Sequence, residues 1–412
     1  MLNIYYFINI IIYSSVISFF IPFGSKSISL CEILITTFGS LILIQNTFKN
    51  ILPNKFEFPF ILFSFSKLSF TSLNISLRSI SAILFISSLN FLKSNKKLIK
   101  TISNSTFNII LISTIGGLIN SIIGNSLWSR FLLSLNFLPP SVNQIHIQTW
   151  WNNENGIISF FVTQNMLAQF MFTSFILISI LKSLNYLNDQ KFLISSSCIA
   201  YLLLMTKTSL GFFGFILLTI YMVNINLKRI FIFFKRIFLR FKFKLKYIFI
   251  IFLLVLLIMF FGSRQNLILN QLNLSKSFLE LFLNFNPNNI SPEVLDSSEF
   301  NRFYYTKIFF DNLDKCVLFG QSSFISSNTY NPHNFYLSIV HRHGLISIVF
   351  YLIFITSLFF NRIRIKEINS IYKLLFIYIL LGGFQGDFFS DSRTILPFIL
   401  IMFLGDAKTL KS

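Results

Sequence analysis

The chain has 412 residues, of which 54% are hydrophobic and only 12% charged, with a mean hydropathy of +0.70. Soluble domains carry about a quarter charged residues, so this composition excludes a water-soluble globular protein and points to an all-α integral membrane protein. The formal net charge of +20, from 34 Lys and Arg against 14 Asp and Glu, is spread over several short loops, which reads as a topology signal and argues against nucleic-acid binding.

Apolar stretches near the roughly 20 residues that cross a bilayer predict about twelve transmembrane helices. They fall near 4–22, 29–46, 57–73, 77–92, 103–124, 157–181, 192–205, 209–226, 247–262, 335–360, 371–386 and 394–407. The first has neither a basic start nor a small-residue cleavage site, so a retained helix is expected there and not a signal peptide. The stretches group into N-terminal helices over 1–150, central helices over 151–262, a large extracytoplasmic loop over 263–332 and C-terminal helices over 333–412. Threading twelve spans puts Lys93/Lys96/Lys97/Lys100, then Lys228/Arg229/Lys235/Arg236/Arg240/Lys242/Lys244/Lys246, then Arg362/Arg364/Lys366/Lys373 on one side. The positive-inside rule makes that side cytoplasmic, with both termini inside.

The opposite side carries two long loops, near 125–156 and 263–332. The second holds Glu280, Glu293, Asp296, Glu299, Asp311 and Asp314, six of the fourteen acids, and is expected to form a small extracytoplasmic subdomain. Its turn-rich stretch Asn286-Pro287-Asn288-Asn289-Ile290-Ser291-Pro292 precedes an amphipathic pattern from Ser298 to Asn312. Cys31 and Cys198 fall inside spans and Cys316 is alone in the outer loop, so no disulfide within that loop is expected. The four His are His146, His333, His341 and His343, and the spacing of the last two turns them to different helix faces. No metal or cofactor is expected.

The densest chemistry lies at Asn331-Pro332-His333-Asn334-Phe335, where a histidine-amide pair stands at the lip of a transmembrane helix. Pro332 has no N–H and disfavours helix in the residue before it, so the helix is predicted to start at His333 or just after. On the same side fall Lys207 in Thr206-Lys207-Thr208-Ser209, Arg264 in Gly262-Ser263-Arg264, and Arg302 in the loop helix. Each has a plain reading: interfacial snorkelling for Lys207 and Arg264, a surface ion pair with Glu299 or Asp296 for Arg302. Taken with His333 they also make the set needed to act on a lipid-linked diphosphate. Guanidinium forks would hold phosphate oxygens while a neutral imidazole takes a hydroxyl proton. Asn334 either orients that imidazole or a sugar hydroxyl, or caps the helix.

These stretches resemble the O-antigen ligase and polymerase superfamily of bacterial membrane glycosyltransferases. His333-Asn334, nine intervening residues and Gly344 are similar to the family's His-(Asn/Ser/Gln)-x9-Gly signature at the end of its large periplasmic loop. Asn301-Arg302-Phe303-Tyr304 through Leu318-Phe319-Gly320, Thr206-Lys207-Thr208, and Gly156 with Asn165-Met166-Leu167-Ala168 resemble three further family stretches. The likeness covers about residues 150–360. The chain departs from the family pattern at Ser347, where a second Gly is common, at Arg342, where an acid is common, and at Lys207, where Arg is usual.

The resemblance implies a metal-independent glycosyltransferase of the bacterial inner membrane. The donor would be a polyprenyl-diphosphate-linked glycan and the acceptor either lipid A core, for an O-antigen ligase, or a second lipid-linked glycan, for a polymerase. His333, Arg302 and Arg264 would be catalytic, with Lys207 and Asn334 binding substrate. The ligase reading is slightly preferred. The rival classes are a lipid-linked glycan transporter, which would show repeats and mid-membrane ionisable residues, and a structural partner in a polysaccharide-export complex.

Overall fold

The structure is a computed structural model that describes residues 4–23, 26–45, 55–67, 73–90, 92, 95–139, 156–238, 335–360, 365–383 and 392–405. Among these the chain is mostly helical. Among the described residues three helical stretches, Lys96–Ile123, Gln164–Ser183 and His343–Phe360, are long and apolar enough to cross a membrane, and the other apolar helical stretches, Ser209–Val223 among them, are shorter. This is compatible with an all-α membrane protein. By contact the chain divides into two units, Ile220–Tyr304 and the remainder, and the described part of the smaller unit is one helical stretch over 220–238.

In the larger unit, α1 (Ile4–Ser14) leads to an antiparallel hairpin of β1 (Phe20–Phe23) and β2 (Lys26–Ser29), in which Ile21 pairs with Ile28 and Pro22 with Ser27. The apolar stretch 4–22 is therefore not one helix. The Ser14 and Ser15 hydroxyls donate back to the carbonyls of Ile11 and Ile12 at 2.7 and 2.6 Å, satisfying the last turn locally. Pro22 then has no N–H to continue a helix.

α2 (Leu30–Gln45), α3 (Glu57–Ser66) and α4 (Leu73–Asn90) follow, with α2 packed along α4. A Cβ on Gly39 would lie 2.8 Å from the Leu84 carbonyl carbon, so glycine is what lets these two helices approach so closely. α5 (Lys96–Ile123) is 28 residues, about 42 Å at 1.5 Å per residue. Asn95 caps it by accepting from the Leu98 amide at 3.2 Å, and it stops at Gly124, whose φ of +82° suits glycine. α6 (Asn125–Ser134) comes next, so the first predicted outer loop begins as a helix.

α7 (Gln164–Ser183) is the hub. Every one of its residues from Leu167 to Leu181 is buried, as expected for a helix apolar on all faces, and it packs on α5, on α8 (Asp189–Met205), on α11 (Lys366–Gly382) and on α12 (Ser392–Leu404). It begins seven residues later than the apolar stretch 157–181 suggests, because Thr163 accepts from the Met166 amide at 3.2 Å and sets the helix start. The turn into α8 is tied by an ion pair between Lys182 and Asp189 and by Asn188, which accepts from the Lys191 amide at 2.8 Å. α9 (Ser209–Phe238) runs twelve residues beyond the stretch 209–226, so Lys228, Arg229, Lys235 and Arg236, expected in a loop, lie on helical backbone. α10 (Phe335–Phe360) packs on α3 and α11 and is kinked at Gly344.

Candidate functional site

The end of α5, the segment before α7, the end of α8 and the start of α12 meet at one end of the bundle. The segment 156–163 joins them, and it is fixed by polar groups from helices distant in sequence. The Asn120 side-chain oxygen accepts from the amides of Ile158 and Ser159 at 2.8 and 3.2 Å, and its amide donates to Asn125 Oδ1 at 2.7 Å. Asn125 in turn donates to the Gly156 carbonyl, and Trp128 Nε1 to the Ser159 carbonyl. The Ser159 hydroxyl donates to the Ser113 carbonyl at 2.8 Å. Asn120, Trp128, Ser113 and Ser159 are buried and Asn125 is half-buried, so in place of water these groups satisfy the backbone of a non-helical segment.

That segment sets the geometry of Lys207. The Ile157 amide donates to the Met205 carbonyl at 3.0 Å. A Cβ on Gly156 would come within 2.1 Å of the Thr206 carbonyl oxygen, and one on Gly211 within 2.1 Å of Thr206 Oγ1. Thr206 is thus gripped from both sides, with its hydroxyl donating to the Leu203 carbonyl at 2.8 Å. Lys207 follows with φ +52° and an amide that donates to the Leu204 carbonyl at 3.1 Å. Left-handed backbone at a non-glycine residue costs about 1–2 kcal/mol, and the packing around Thr206 holds it. The Lys207 side chain is exposed.

Arg393, in the first turn of α12, is fully buried. It donates to the Phe160 carbonyl at 3.2 Å, and its guanidinium carbon lies 5.1 Å from the Phe20 ring centroid and 5.3 Å from that of Phe161. The hairpin and the segment 156–163 are thereby tied to α12 through one cation held between aromatic faces. Beside it, the end of α3 and the start of α4 bring together Lys67 and Arg78, and Arg78 Nε is 3.7 Å from Glu32 Oε2 in the first turn of α2. On α10, Gly344 has φ +79°, a conformation only glycine takes readily, and the Ser347 hydroxyl donates to the Ser66 carbonyl at 2.8 Å. His343, just before that kink, is buried.

Of the site residues expected from sequence, Lys207 is described and sits exposed on the strained turn. His333, Asn334, Arg264 and Arg302 lie outside the described residues. The helix after His333 begins at Phe335, whose amide donates to the Gly383 carbonyl at 2.8 Å. Sequence reasoning passed over Asn120, Arg78 and Arg393. The one signal for the two arginines was their position at the first polar edge of an apolar run. Among the described residues, no group of three or more His, Cys, Asp or Glu stands together in a way that could hold a metal ion.

Compared with known protein families, curated proteins and solved structures, the chain finds no match.

Proposed function

We propose that the chain transfers an oligo- or polysaccharide from a polyprenyl-diphosphate carrier to an acceptor hydroxyl at the extracytoplasmic face of the membrane, as O-antigen ligases do. The observation that carries this reading is the contact of Gly156 with Thr206. Two stretches that resemble the same family, Gly156 with Asn165-Met166-Leu167-Ala168 and Thr206-Lys207-Thr208, build one turn that presents an exposed lysine. A further resembling position, Gly344, has the positive φ that explains a glycine there.

In this reading Lys207, with Arg264 and Arg302, holds the diphosphate of the donor. His333 takes the proton of the acceptor hydroxyl as its oxygen attacks the anomeric carbon. The bond from that carbon to the diphosphate oxygen breaks, and the lipid diphosphate leaves with its charge met by the cations. Donors positioned for such a developing charge contribute about 3 to 4 kcal/mol each. Asn334 orients the imidazole. A polymerase of the same superfamily needs the same donor grip and base, with a lipid-linked glycan as acceptor.

The test is transfer and donor binding by purified variants. His333→Ala is expected to abolish transfer and keep donor binding. Arg302→Ala and Arg264→Ala are expected to weaken both, with only partial rescue by Lys, since a point charge does not reproduce the bidentate fork. A His333→Ala chain that, at normal expression, still builds full-length polysaccharide in a strain lacking the native gene refutes the enzyme reading and favours a transporter or scaffold.

A further inference from the structure

α6 carries apolar side chains on two opposite faces. Trp128, Ser129 and Leu132 are buried on the inner one, where Trp128 and Leu132 cluster with Leu138 and Ile158. Leu127 and Phe131, one turn apart on the outer one, are 60% and 48% exposed, and Arg130 and Ser134 stand exposed beside them. A helix at a water-covered surface turns its apolar stripe inward and polar residues outward, so water is the wrong solvent for this outer face. The far end of α6 is alike. Leu135 is exposed there, and the hairpin joins it: the Phe20 amide donates to the Asn136 carbonyl at 2.8 Å, and the Phe19 ring centroid lies 4.9 Å from that of Phe137. Phe19 and Ile21 are exposed too.

α5 sets the depth at which α6 lies. Lys96, Lys97 and Lys100 stand exposed in its first turns, and lysines at the end of a membrane helix keep their ammonium groups at the membrane surface. A hydrocarbon layer about 30 Å thick takes about 20 residues at 1.5 Å each, which counted from Lys100 ends at Asn120. Over the second half of that span Ile115, Leu118 and Ile119 are exposed on one stripe, continued by Ile122 at 81% exposure. In a helix long and apolar enough to cross a membrane, that stripe faces lipid. α6 begins at Asn125, just past the boundary, after the bend at Gly124 with φ +82°. Standing upright, its ten residues would carry Leu135 and the hairpin about 15 Å out into water. Lying along the boundary, it keeps both ends of its apolar outer face on the lipid that already covers α5.

We propose that α6 is an interfacial helix, lying in the leaflet opposite the α5 lysines at the boundary of headgroups and acyl chains. Leu127, Phe131 and Leu135 enter the acyl region and Arg130 reaches back to the lipid phosphates. Helices of this kind sit about 5–10 Å into that boundary. Asn125 donates to the Gly156 carbonyl, and Gly156 packs on Thr206, so α6 holds the Lys207 turn near the level of the lipid phosphates. That placement stands whether or not the chain transfers glycans.

The full chain, with Cys31→Ala, Cys198→Ser and Cys316→Ser, receives one new cysteine by Leu127→Cys, Leu135→Cys or Ile115→Cys. Each variant is labelled with a nitrobenzoxadiazole dye in vesicles of phosphatidylethanolamine and phosphatidylglycerol, and quenching by nitroxides fixed at the headgroup or along the acyl chain gives the depth of the dye. The dyes at 127 and 135 are expected just below the phosphates and within about 5 Å of each other in depth, with the dye at 115 deeper. A difference of about 12 Å between 127 and 135, the rise of eight helical residues, overturns the proposal, as does quenching of both only by aqueous cobalt. Dyes shielded from lipid and water alike overturn it in favour of a second copy or another segment of this chain over the face. The unmodified chain gives an independent reading. A phospholipid with a photoactivated diazirine on its acyl chain is expected to label the stretch 125–135 as well as the α5 stripe; labelling of the α5 stripe alone overturns the proposal.

Discussion

Replacing Asn120 by alanine removes the group on which the segment 156–163 depends. The side chain is 1% exposed, and its oxygen is the acceptor for two buried amides, those of Ile158 and Ser159, at 2.8 and 3.2 Å. A buried donor stripped of its acceptor costs about 1–3 kcal/mol. Two of them amount to about 2–6 kcal/mol, with further loss at Asn125, whose Oδ1 gives up its 2.7 Å donor. Half-buried Asn125 offers water one way in, which brings the expected cost to about 3 kcal/mol, roughly a hundredfold in the unfolding equilibrium. The assay is unfolding in mixed micelles followed by tryptophan fluorescence, for which Trp128 is well placed, since its indole donates to the same segment. Ser121→Ala on the neighbouring exposed position, whose hydroxyl bonds only within its own helix at 2.7 Å, is expected to stay within about 0.5 kcal/mol. If Asn120→Ala unfolds like Ser121→Ala, the segment is held by something other than this side chain, and the account of how Lys207 is positioned fails.

Lys207→Gly is expected to keep stability or raise it by up to about 1 kcal/mol, since glycine adopts the φ of +52° freely, while transfer falls. Retained transfer would remove Lys207 from the proposed site. Gly156→Ala forces a Cβ to within 2.1 Å of the Thr206 carbonyl oxygen; a loss of about 1–3 kcal/mol is expected, with a larger relative loss of donor binding in the folded fraction, measured by titration with the lipid-linked donor. Reporter fusions after Lys246 and after Pro292 are expected to read cytoplasmic and extracytoplasmic, because eight basic residues without an acid precede the first point; the same side for both would refute the threading.

The membrane class was written in the composition, because a chain with 12% charged residues cannot cover a soluble surface. Hydropathy set helix starts near 103, 157 and 192, whereas the caps at Asn95, Thr163 and Asn188 begin the helices at Lys96, Gln164 and Asp189; each is a side-chain oxygen that accepts from the amide three residues on, a contact needing no distant partner. Local chemistry also stopped the first helix at Ser14, although hydropathy alone ran through it. The site was different. An arginine at the edge of an apolar run reads the same whether it snorkels to water or is buried, and only the fold distinguishes Arg393, fully buried between Phe20 and Phe161, from Arg78, partly exposed beside Glu32. Asn120, inside a long apolar helix, gave no sign of the two amides it would satisfy, because their need arises only when a segment without helical bonds is pressed against α5 and away from water. Composition and local capping act through neighbours in the chain, so sequence determines them; buried polar pairing acts between groups that meet only once the helices have packed, and tertiary structure alone decides it.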